Sequence, residues 1–170
     1  MKTVYLSLGS NVGDREANLR GALNRLPAIG VRVTRVSPLY ETEPLDYAAQ
    51  RWFLNLVAEA ETELFPKQLL ARLAGIERDF GRVRTVAKGP RTLDIDILLY
   101  AQAVVRSPEL EIPHPRMAER RFVLVPLADL APDLRHPVTR KTVREMLAAA
   151  PAQVVRRVVG PAEERAEPHV

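Results

Sequence analysis

Two segments in which apolar residues recur with helical spacing constrain the fold of this chain more than any other feature. Each of them lies between extended segments. The first helix is predicted to begin behind Asp14, a favourable N-cap residue, and to end at Pro27 and Gly30. Its apolar residues recur at i, i+3, i+4 and i+7, namely Leu19, Ala22, Leu23 and Leu26. The second helix begins at Pro66, which suits a first helical turn, and ends at Gly81. Its stripe consists of Leu69, Leu73, Ile76 and Phe80.

Alternating residues around these helices predict strands. Near the start of the chain, Val4, Leu6 and Leu8 alternate with polar residues, which indicates a strand with one buried face. Residues 31–44 form an extended segment with an expected irregularity near Pro38, and residues 51–62 form a long strand. One face of the long strand carries Leu54, Leu56, Ala58 and Ala60. The alternation places Phe53, Asn55 and Val57 on the opposite face.

A further strand in the segment GPRTLDIDILLY completes the order β-α-β-β-α-β. This order predicts an α+β fold: a ferredoxin-like antiparallel sheet with helices on one face and the second face partly free for a ligand. A C-terminal extension is expected to contain a hairpin near residues 104–112, a short helix near 119–130 limited by Pro126, a helix with a Thr142–Glu145 capping box, and a strand in VVRRVV. We expect residues 1–160 to form a single domain and residues 161–170 a flexible tail.

Composition narrows the possible functions. The 170 residues include 46% hydrophobic residues, enough for one core, and no cysteine, which excludes disulfides and thiolate metal sites. No apolar run approaches the roughly 18 residues that a membrane span needs, so we expect a cytoplasmic protein with no membrane partner. The net charge of +4 is compatible with an anionic ligand. The aromatic content of 5% argues against a nucleic-acid partner, because base stacking requires aromatic platforms.

Asp94 and Asp96 interrupt an otherwise apolar strand. Residues two apart on a strand project from the same face, about 7 Å apart at the backbone. Two carboxylates so placed can share one divalent cation or hold two ions about 4 Å apart. Oxygen ligands and phosphate favour Mg²⁺. The alternative is an amphipathic strand that happens to carry two acids on its outer face.

The loop before the aspartates is cationic and rich in glycine and proline. Its basic residues are Arg82, Arg84, Lys88 and Arg91. Beside paired carboxylates, such a loop resembles one half of a nucleoside triphosphate site, because acids hold the metal while arginines contact phosphate oxygens. A solvated run of charge is the alternative. The two standard triphosphate frameworks, the P-loop and the kinase glycine-rich loop, have no match in the sequence.

Further polar and aromatic residues suggest a second substrate. His114 lies between two prolines, with Arg116, Arg120 and Arg121 close behind, and could bind phosphate or cap a turn. Phe53 and Asn55 share the face directed away from the core. An aromatic ring beside an amide suits a flat heterocycle with a polar edge. Alternatively, a loop or the C-terminal half covers Phe53.

Six segments occur in the order and spacing of a known family: LGSNVGD, YETEPL, FLN, GRVR, GPRTLDIDILLY and PHPRMAERRFVLVPL. By these motifs the chain resembles the 6-hydroxymethyl-7,8-dihydropterin pyrophosphokinases of folate biosynthesis over about residues 3–150. The resemblance implies transfer of diphosphate from ATP to the pterin hydroxymethyl group, with release of AMP and with two Mg²⁺ ions. Separately, we expect the protein to be a monomer.

The resemblance also implies roles for individual residues. Asp94 and Asp96 would hold the metal ions, and Arg82 and Arg91 would stabilise the transferring group. The ATP contacts would be Glu77, Arg84, Ile97, His114 and Arg120. The pterin contacts would be Thr42, Leu45, Phe53, Asn55 and Phe122. Some positions depart from the family: Lys88 stands where some members carry tryptophan, and Glu109 and Glu111 stand where some carry basic or hydroxyl groups.

Two other functions are compatible with parts of this pattern. Ferredoxin-like sheets with basic surfaces can bind RNA, although paired acids on the open face would repel a phosphate backbone. A two-metal phosphohydrolase would share the acidic pair but would need no pterin pocket.

Overall fold

The computed structural model describes residues 1–45, 49–81 and 92–158. In chain order, these residues form β1 (Lys2–Ser10), α1 (Arg15–Arg25), β2 (Val31–Val36), β3 (Tyr40–Thr42), β4 (Phe53–Thr62), α2 (Pro66–Asp79), β5 (Asp94–Tyr100), β6 (Val105–Arg106), β7 (Glu111–Ile112), α3 (Arg121–Leu130), α4 (Val143–Ala149) and β8 (Val155–Arg157). The tail predicted at 161–170 lies outside the described residues. Over the described ranges, no helix combines the length and apolar composition needed to cross a membrane.

The predicted starts of α1, α2 and α4 are confirmed, and their causes are visible. The Asp14 carboxylate accepts a hydrogen bond from the Ala17 N–H at 3.0 Å, which satisfies one donor at the start of α1. After α1, a short 3₁₀ turn ends at Gly30, whose φ of +89° suits glycine. Pro66 occupies the first turn of α2. Thr142 and Glu145 form the predicted capping box of α4.

One antiparallel sheet organises the chain in the order β5-β1-β4-β3-β8, and β2 also pairs with β4. This arrangement confirms the predicted ferredoxin-like α+β fold. The expected irregularity near Pro38 separates β2 from β3. There, Ser37 forms two hydrogen bonds with the backbone of Val57. The Ser37 N–H donates to the Val57 carbonyl, and the Ser37 Oγ accepts from the Val57 N–H, each at 2.9 Å.

The two sheet faces bury different sets of residues. On one face, Val4, Leu6 and Leu8 of β1 pack with the apolar stripes of α1 and α2, as predicted. On the other, Tyr5 and Val57 pack with α3 and α4. The C-terminal extension therefore covers part of the second face. Pro126 lies inside α3 instead of limiting it, so that detail of the prediction is wrong; Pro126 is buried together with its helical neighbours.

A bulge divides β5. Tyr5 pairs with Leu99, whereas the next residue of β1, Leu6, pairs with Ile97, so Leu98 is an extra residue. Leu98 and Leu99 consequently both join the core beside α3 and α4, while Ile97 and Tyr100 join the core beside α1 and α2.

Glu59 on β4 accepts four hydrogen bonds at the sheet surface. Arg35 donates through Nε and Nη2 at 3.1 and 2.8 Å, Thr34 donates at 2.7 Å, and Tyr5 donates at 2.7 Å. The hydrogen bonds from Arg35, with smaller contributions from Thr34 and Tyr5, lower the pKa of Glu59 to about 2. The ionised carboxylate is therefore the form that the folded state favours.

Glu59→Gln is expected to reduce the free energy of unfolding at pH 7 by about 1–3 kcal/mol. A carboxyl group with a lowered pKa stabilises the fold above its ordinary pKa, and this stabilisation disappears as the pH falls from about 4.5 towards 2. Urea denaturation of wild type and variant at pH 7 and at pH 2 measures the difference. Glu63→Gln, at an exposed position, is the control. An equal loss at pH 7 and pH 2 would contradict the assignment.

Candidate active site

Three neighbouring strands align their polar residues at the end of the sheet that α3 and α4 leave open. Asp94 of β5 pairs with Gly9 of β1, and Gly9 pairs on its other side with Asn55 of β4. In the adjacent row, Asp96 pairs with Ser7. Asp94 and Asp96 therefore project from one face, as predicted, while Ile95 and Ile97 enter the opposite core.

A cavity of about 160 Å³ lies over this row. All five residues assigned to a pterin by resemblance line it: Thr42, Leu45, Phe53, Asn55 and Phe122. Asp94, Asp96 and Arg120 line it as well. The structure thus brings together eight residues that the sequence analysis singled out, from four strands or loops and the start of α3.

Asn55 has a defined orientation in this cavity. The Thr42 hydroxyl donates to Asn55 Oδ1 at 2.6 Å, and both side chains are buried. Because the carbonyl oxygen accepts from Thr42, the amide nitrogen is the end that lies over Gly9. A Cβ atom at Gly9 would stand only 2.6 Å from Asn55 Nδ2. The missing side chain of Gly9 therefore makes room for the Asn55 amide.

Aromatic residues line the same cavity. Phe53 and Phe122 are each partly exposed and come from β4 and α3. The Arg120 guanidinium lies 5.5 Å from the centre of the Phe122 ring, within the range of a cation–π contact. Two aromatic rings beside a buried amide provide apolar area together with a hydrogen-bonding edge, which suits a flat polar heterocycle.

A second cavity, of about 250 Å³, adjoins the first at Asp96, which lines both. Ile97 and His114, assigned to ATP by resemblance, line this second cavity. Glu109 and Glu111, which depart from the family pattern, line it too. Glu109 forms an ion pair with Lys67 at 2.6 Å. The paired clefts can therefore hold two different ligands that meet at one carboxylate.

His114 presents a neutral imidazole at this junction. Burial, together with the positive charges of Arg120 and Arg116, lowers the pKa of His114 to about 4, although Asp94 opposes this effect. Its Nδ1 accepts the Arg116 N–H at 3.1 Å, so the proton of the neutral ring resides on Nε2. Nε2 lies 3.9 Å from Asp96 Oδ2. The Nε2–H group of His114 is thus a hydrogen-bond donor that faces Asp96, which lines both cavities.

Glu77 lies in neither cavity. It is buried on α2, and its carboxylate accepts the Ile95 N–H at 2.7 Å. Ile95 separates Asp94 from Asp96 in the sequence, so Glu77 holds the backbone of the acidic strand from the core side. This hydrogen bond supports β5, and the expected contact of Glu77 with ATP stays a prediction.

The remaining predicted residues lie outside the described ones. These are the catalytic arginines Arg82 and Arg91, the ATP contact Arg84, and the loop residue Lys88. Among the described residues, no group of three or more histidine, aspartate or glutamate side chains is arranged to hold a metal ion. Two carboxylates fit an ion that completes its coordination with phosphate and water, which is the usual pattern for Mg²⁺.

Six residues that line the first cavity were not assigned from the sequence: Ser7, Gly9, Glu43, Pro44, Gln50 and Gln153. Gly9 had a usable signal, because glycine within a strand often marks a close approach to its backbone. Gln153 lines the cavity from the segment between α4 and β8, far from every motif. No local pattern distinguishes it.

The fold and the paired cavities define a class: a ferredoxin-like α+β protein with a two-part small-molecule site on its open sheet face. A sequence model of the 7,8-dihydro-6-hydroxymethylpterin-pyrophosphokinase family matches residues 5–132. The chain belongs to this family.

Individual relatives agree with this membership. The chain is 46% identical over 163 residues to 2-amino-4-hydroxy-6-hydroxymethyldihydropteridine pyrophosphokinase of Pseudomonas aeruginosa, covering 94% of this chain and 99% of that protein. It is 48% identical over 156 residues to the folic acid synthesis protein fol1 of Schizosaccharomyces pombe, covering 91% of this chain but only 21% of that protein. The crystal structure of wild-type Plasmodium falciparum HPPK-DHPS is similar in fold, with a TM-score of 0.68 at 15% identity, over 87% of this chain and 44% of that one.

Proposed function

We propose that this chain transfers diphosphate from ATP to the hydroxymethyl group of 6-hydroxymethyl-7,8-dihydropterin, with release of AMP, as a step of folate biosynthesis. The observation that carries the proposal is the pair of cavities that meet at Asp96. One offers aromatic rings and an oriented amide, and the other offers a neutral imidazole donor. Family membership supports the same reaction, because the Pseudomonas aeruginosa relative carries the name of this activity.

The first cavity would bind the pterin. Phe53 and Phe122 would contact the faces of the ring, and Leu45 would add apolar area. The side-chain oxygen of Asn55 accepts a hydrogen bond from Thr42, so the side-chain nitrogen would be the atom that donates to an acceptor on the ring edge. The hydroxymethyl group would then point towards Asp94 and Asp96 on β5, which is separated from β4 by β1.

The acidic pair would hold the two Mg²⁺ ions. Both carboxylates project from one face of β5 into the first cavity, and Asp96 also lines the second; they would supply the hard oxygen ligands that this ion takes beside substrate phosphates. Bound Mg²⁺ supplies neutralisation of the negative charge that otherwise opposes attack on a polyphosphate. The β5 backbone, supported by Glu77, fixes the direction of both carboxylates.

The chemistry would be mainly positioning and charge stabilisation. The pterin hydroxyl oxygen forms a bond to the β-phosphorus of ATP, the bond from that phosphorus to the α–β bridging oxygen breaks, and the hydroxyl proton is released. His114 Nε2–H and Arg120 would hydrogen-bond phosphate oxygens of ATP, while Ile97 would contact the nucleotide, and Arg84 is proposed to join them. Arg82 and Arg91 are proposed to stabilise the transferring group and to exclude water.

We also propose that residues 1–160 form a single domain that acts as a monomer in the cytoplasm. The pairing of β8 with β3 joins the end of the described chain to the same sheet as β1, which supports the single domain. The lack of cysteine suits a reducing compartment.

The decisive assay combines the protein, MgATP and 6-hydroxymethyl-7,8-dihydropterin, and follows AMP by chromatography. AMP is expected only when the pterin is present. Release of inorganic phosphate from ATP without the pterin would instead indicate a phosphohydrolase. Retention of RNA at moderate salt, unaffected by replacement of Asp94, would indicate a nucleic-acid-binding protein.

A further inference from the structure

The segment between α4 and β8 contributes to the first cavity, although it lies beyond residues 5–132, which the family model matches. Its contributing residue is Gln153, which is partly exposed within the cavity wall. Val155 of β8 pairs with Thr42 of β3, so Gln153, two residues before β8, is held close to Thr42 and the loop that follows it.

The Gln153 amide connects two walls of the cavity. Its Nε2 donates to the Glu43 carbonyl at 2.8 Å, and its Oε1 accepts the Phe122 N–H at 3.1 Å. Glu43 begins the loop that carries Leu45, and Phe122 is the second residue of α3. An N–H in the first turn of a helix has no hydrogen-bond partner within that helix. Gln153 therefore also provides an acceptor for the Phe122 N–H at the start of α3.

Other contacts hold this segment against the same loop. Glu43 and Val154 exchange two hydrogen bonds: the Glu43 N–H donates to the Val154 carbonyl at 3.1 Å, and the Val154 N–H donates to the Glu43 carboxylate at 2.8 Å. At the far end of the loop, the Arg156 guanidinium lies 4.7 Å from the centre of the Trp52 ring. Gln153 is therefore mounted on a segment that contacts both ends of the connection between β3 and β4.

We propose that Gln153 is a positioning residue for the pterin, which sets the separation between the Leu45 loop and the Phe122 ring. This inference rests on the proposed function of the first cavity. The Leu45 loop and the Phe122 ring are two walls of the first cavity, and a wider separation between them would cost the pterin contact with at least one of them. The side chain of Gln153 determines that spacing through one donor and one acceptor on a single rigid amide group.

Gln153→Met tests the proposal with little change in side-chain volume. It removes both hydrogen bonds, and the dissociation constant of 6-hydroxymethylpterin is expected to rise about tenfold, as for the loss of one to two hydrogen bonds. Fluorescence titration of the pterin measures this, with Mg²⁺ and a non-hydrolysable ATP analogue present. The dissociation constant of the ATP analogue, measured alone, should stay within about twofold because Gln153 does not line the second cavity.

Thr142→Ala is the matched control, because it removes the capping box of α4 without touching the cavity. It should lower Tm while leaving pterin affinity unchanged. Gln153→Glu keeps an oxygen for the Phe122 N–H but loses the donor to Glu43, so it should also weaken pterin binding.

Equal pterin affinity in wild type and Gln153→Met would overturn the positioning role. So would a parallel loss of pterin and ATP-analogue affinity in Gln153→Met, or a loss of pterin affinity in Thr142→Ala, since both would indicate a general structural effect. If the wild-type protein itself fails to bind the pterin, the proposed function fails first, and the two failures are thereby distinguished.

Discussion

Asp96→Ala is expected to lower kcat for AMP formation by about a thousandfold or more. Asp96 is the residue common to both cavities, and His114 Nε2 faces it at 3.9 Å. On the proposed function, its loss would remove one of the two carboxylates that are proposed to hold Mg²⁺ beside the polyphosphate. Steady-state kinetics with saturating MgATP and pterin measure the effect.

The pterin dissociation constant without nucleotide should change little in Asp96→Ala, because the aromatic rings and Asn55 remain. Asp96→Asn keeps the shape and removes the charge, so a comparable loss of kcat in this variant would assign the effect to charge. Asp133→Ala is the control: this aspartate is exposed and pairs with Arg144. Wild-type turnover in Asp96→Ala would refute the proposed role of the acidic pair.

Gly9→Ala is expected to raise the KM for the pterin by about 10- to 100-fold, equivalent to roughly 1.4–2.7 kcal/mol of lost binding. The added Cβ would stand 2.6 Å from Asn55 Nδ2 and 3.6 Å from a carbon of the Phe53 ring. Asn55 would have to move, and its buried bond from Thr42 would break or distort. Steady-state kinetics at saturating MgATP measure the KM.

Asn55→Ala should reproduce the rise in the pterin KM, since both changes remove the same oriented amide. Gly75→Ala is the matched control: it lies inside α2, where the nearest atom to an added Cβ is Arg78 Nη2 at 3.7 Å. There, alanine should stabilise the helix by about 0.5–1 kcal/mol without affecting KM. A pterin KM in Gly9→Ala equal to that of Gly75→Ala would contradict the close packing at Gly9.

Much of the fold was predictable because its signals are local. The apolar residues of α1 and α2 recur with helical spacing, which identifies the buried side of each helix. The alternation in β4 correctly assigns Leu54 and Leu56 to the core beside those helices. Alternation could not separate Asn55 from Val57, which share a face. Val57 is buried beneath α3 and α4, whereas Asn55 lines the cavity. That difference depends on where the extension packs, which no strand pattern encodes.

The site was predictable where residue chemistry and spacing coincide. The pair Asp94 and Asp96 is an example. For His114 the pattern left two roles open, and the structure shows why: one ring nitrogen accepts within the turn, while the other faces Asp96. Gln153 was not predictable because its bond to Glu43 joins residues 110 positions apart in the chain.

Because of the bulge in β5, the alternation of side chains between the two sheet faces is interrupted at Leu98 and resumes after it. Before it, Asp94 and Asp96 alternate with core isoleucines; after it, Tyr100 returns to the core beside α1 and α2 through the additional Leu98. Deleting Leu98 would leave Ile97, Leu99 and Tyr100 in strict alternation, with every remaining side chain on its present face. A one-residue deletion at the bulge would therefore leave Asp94 and Asp96 on the sheet face that they occupy now.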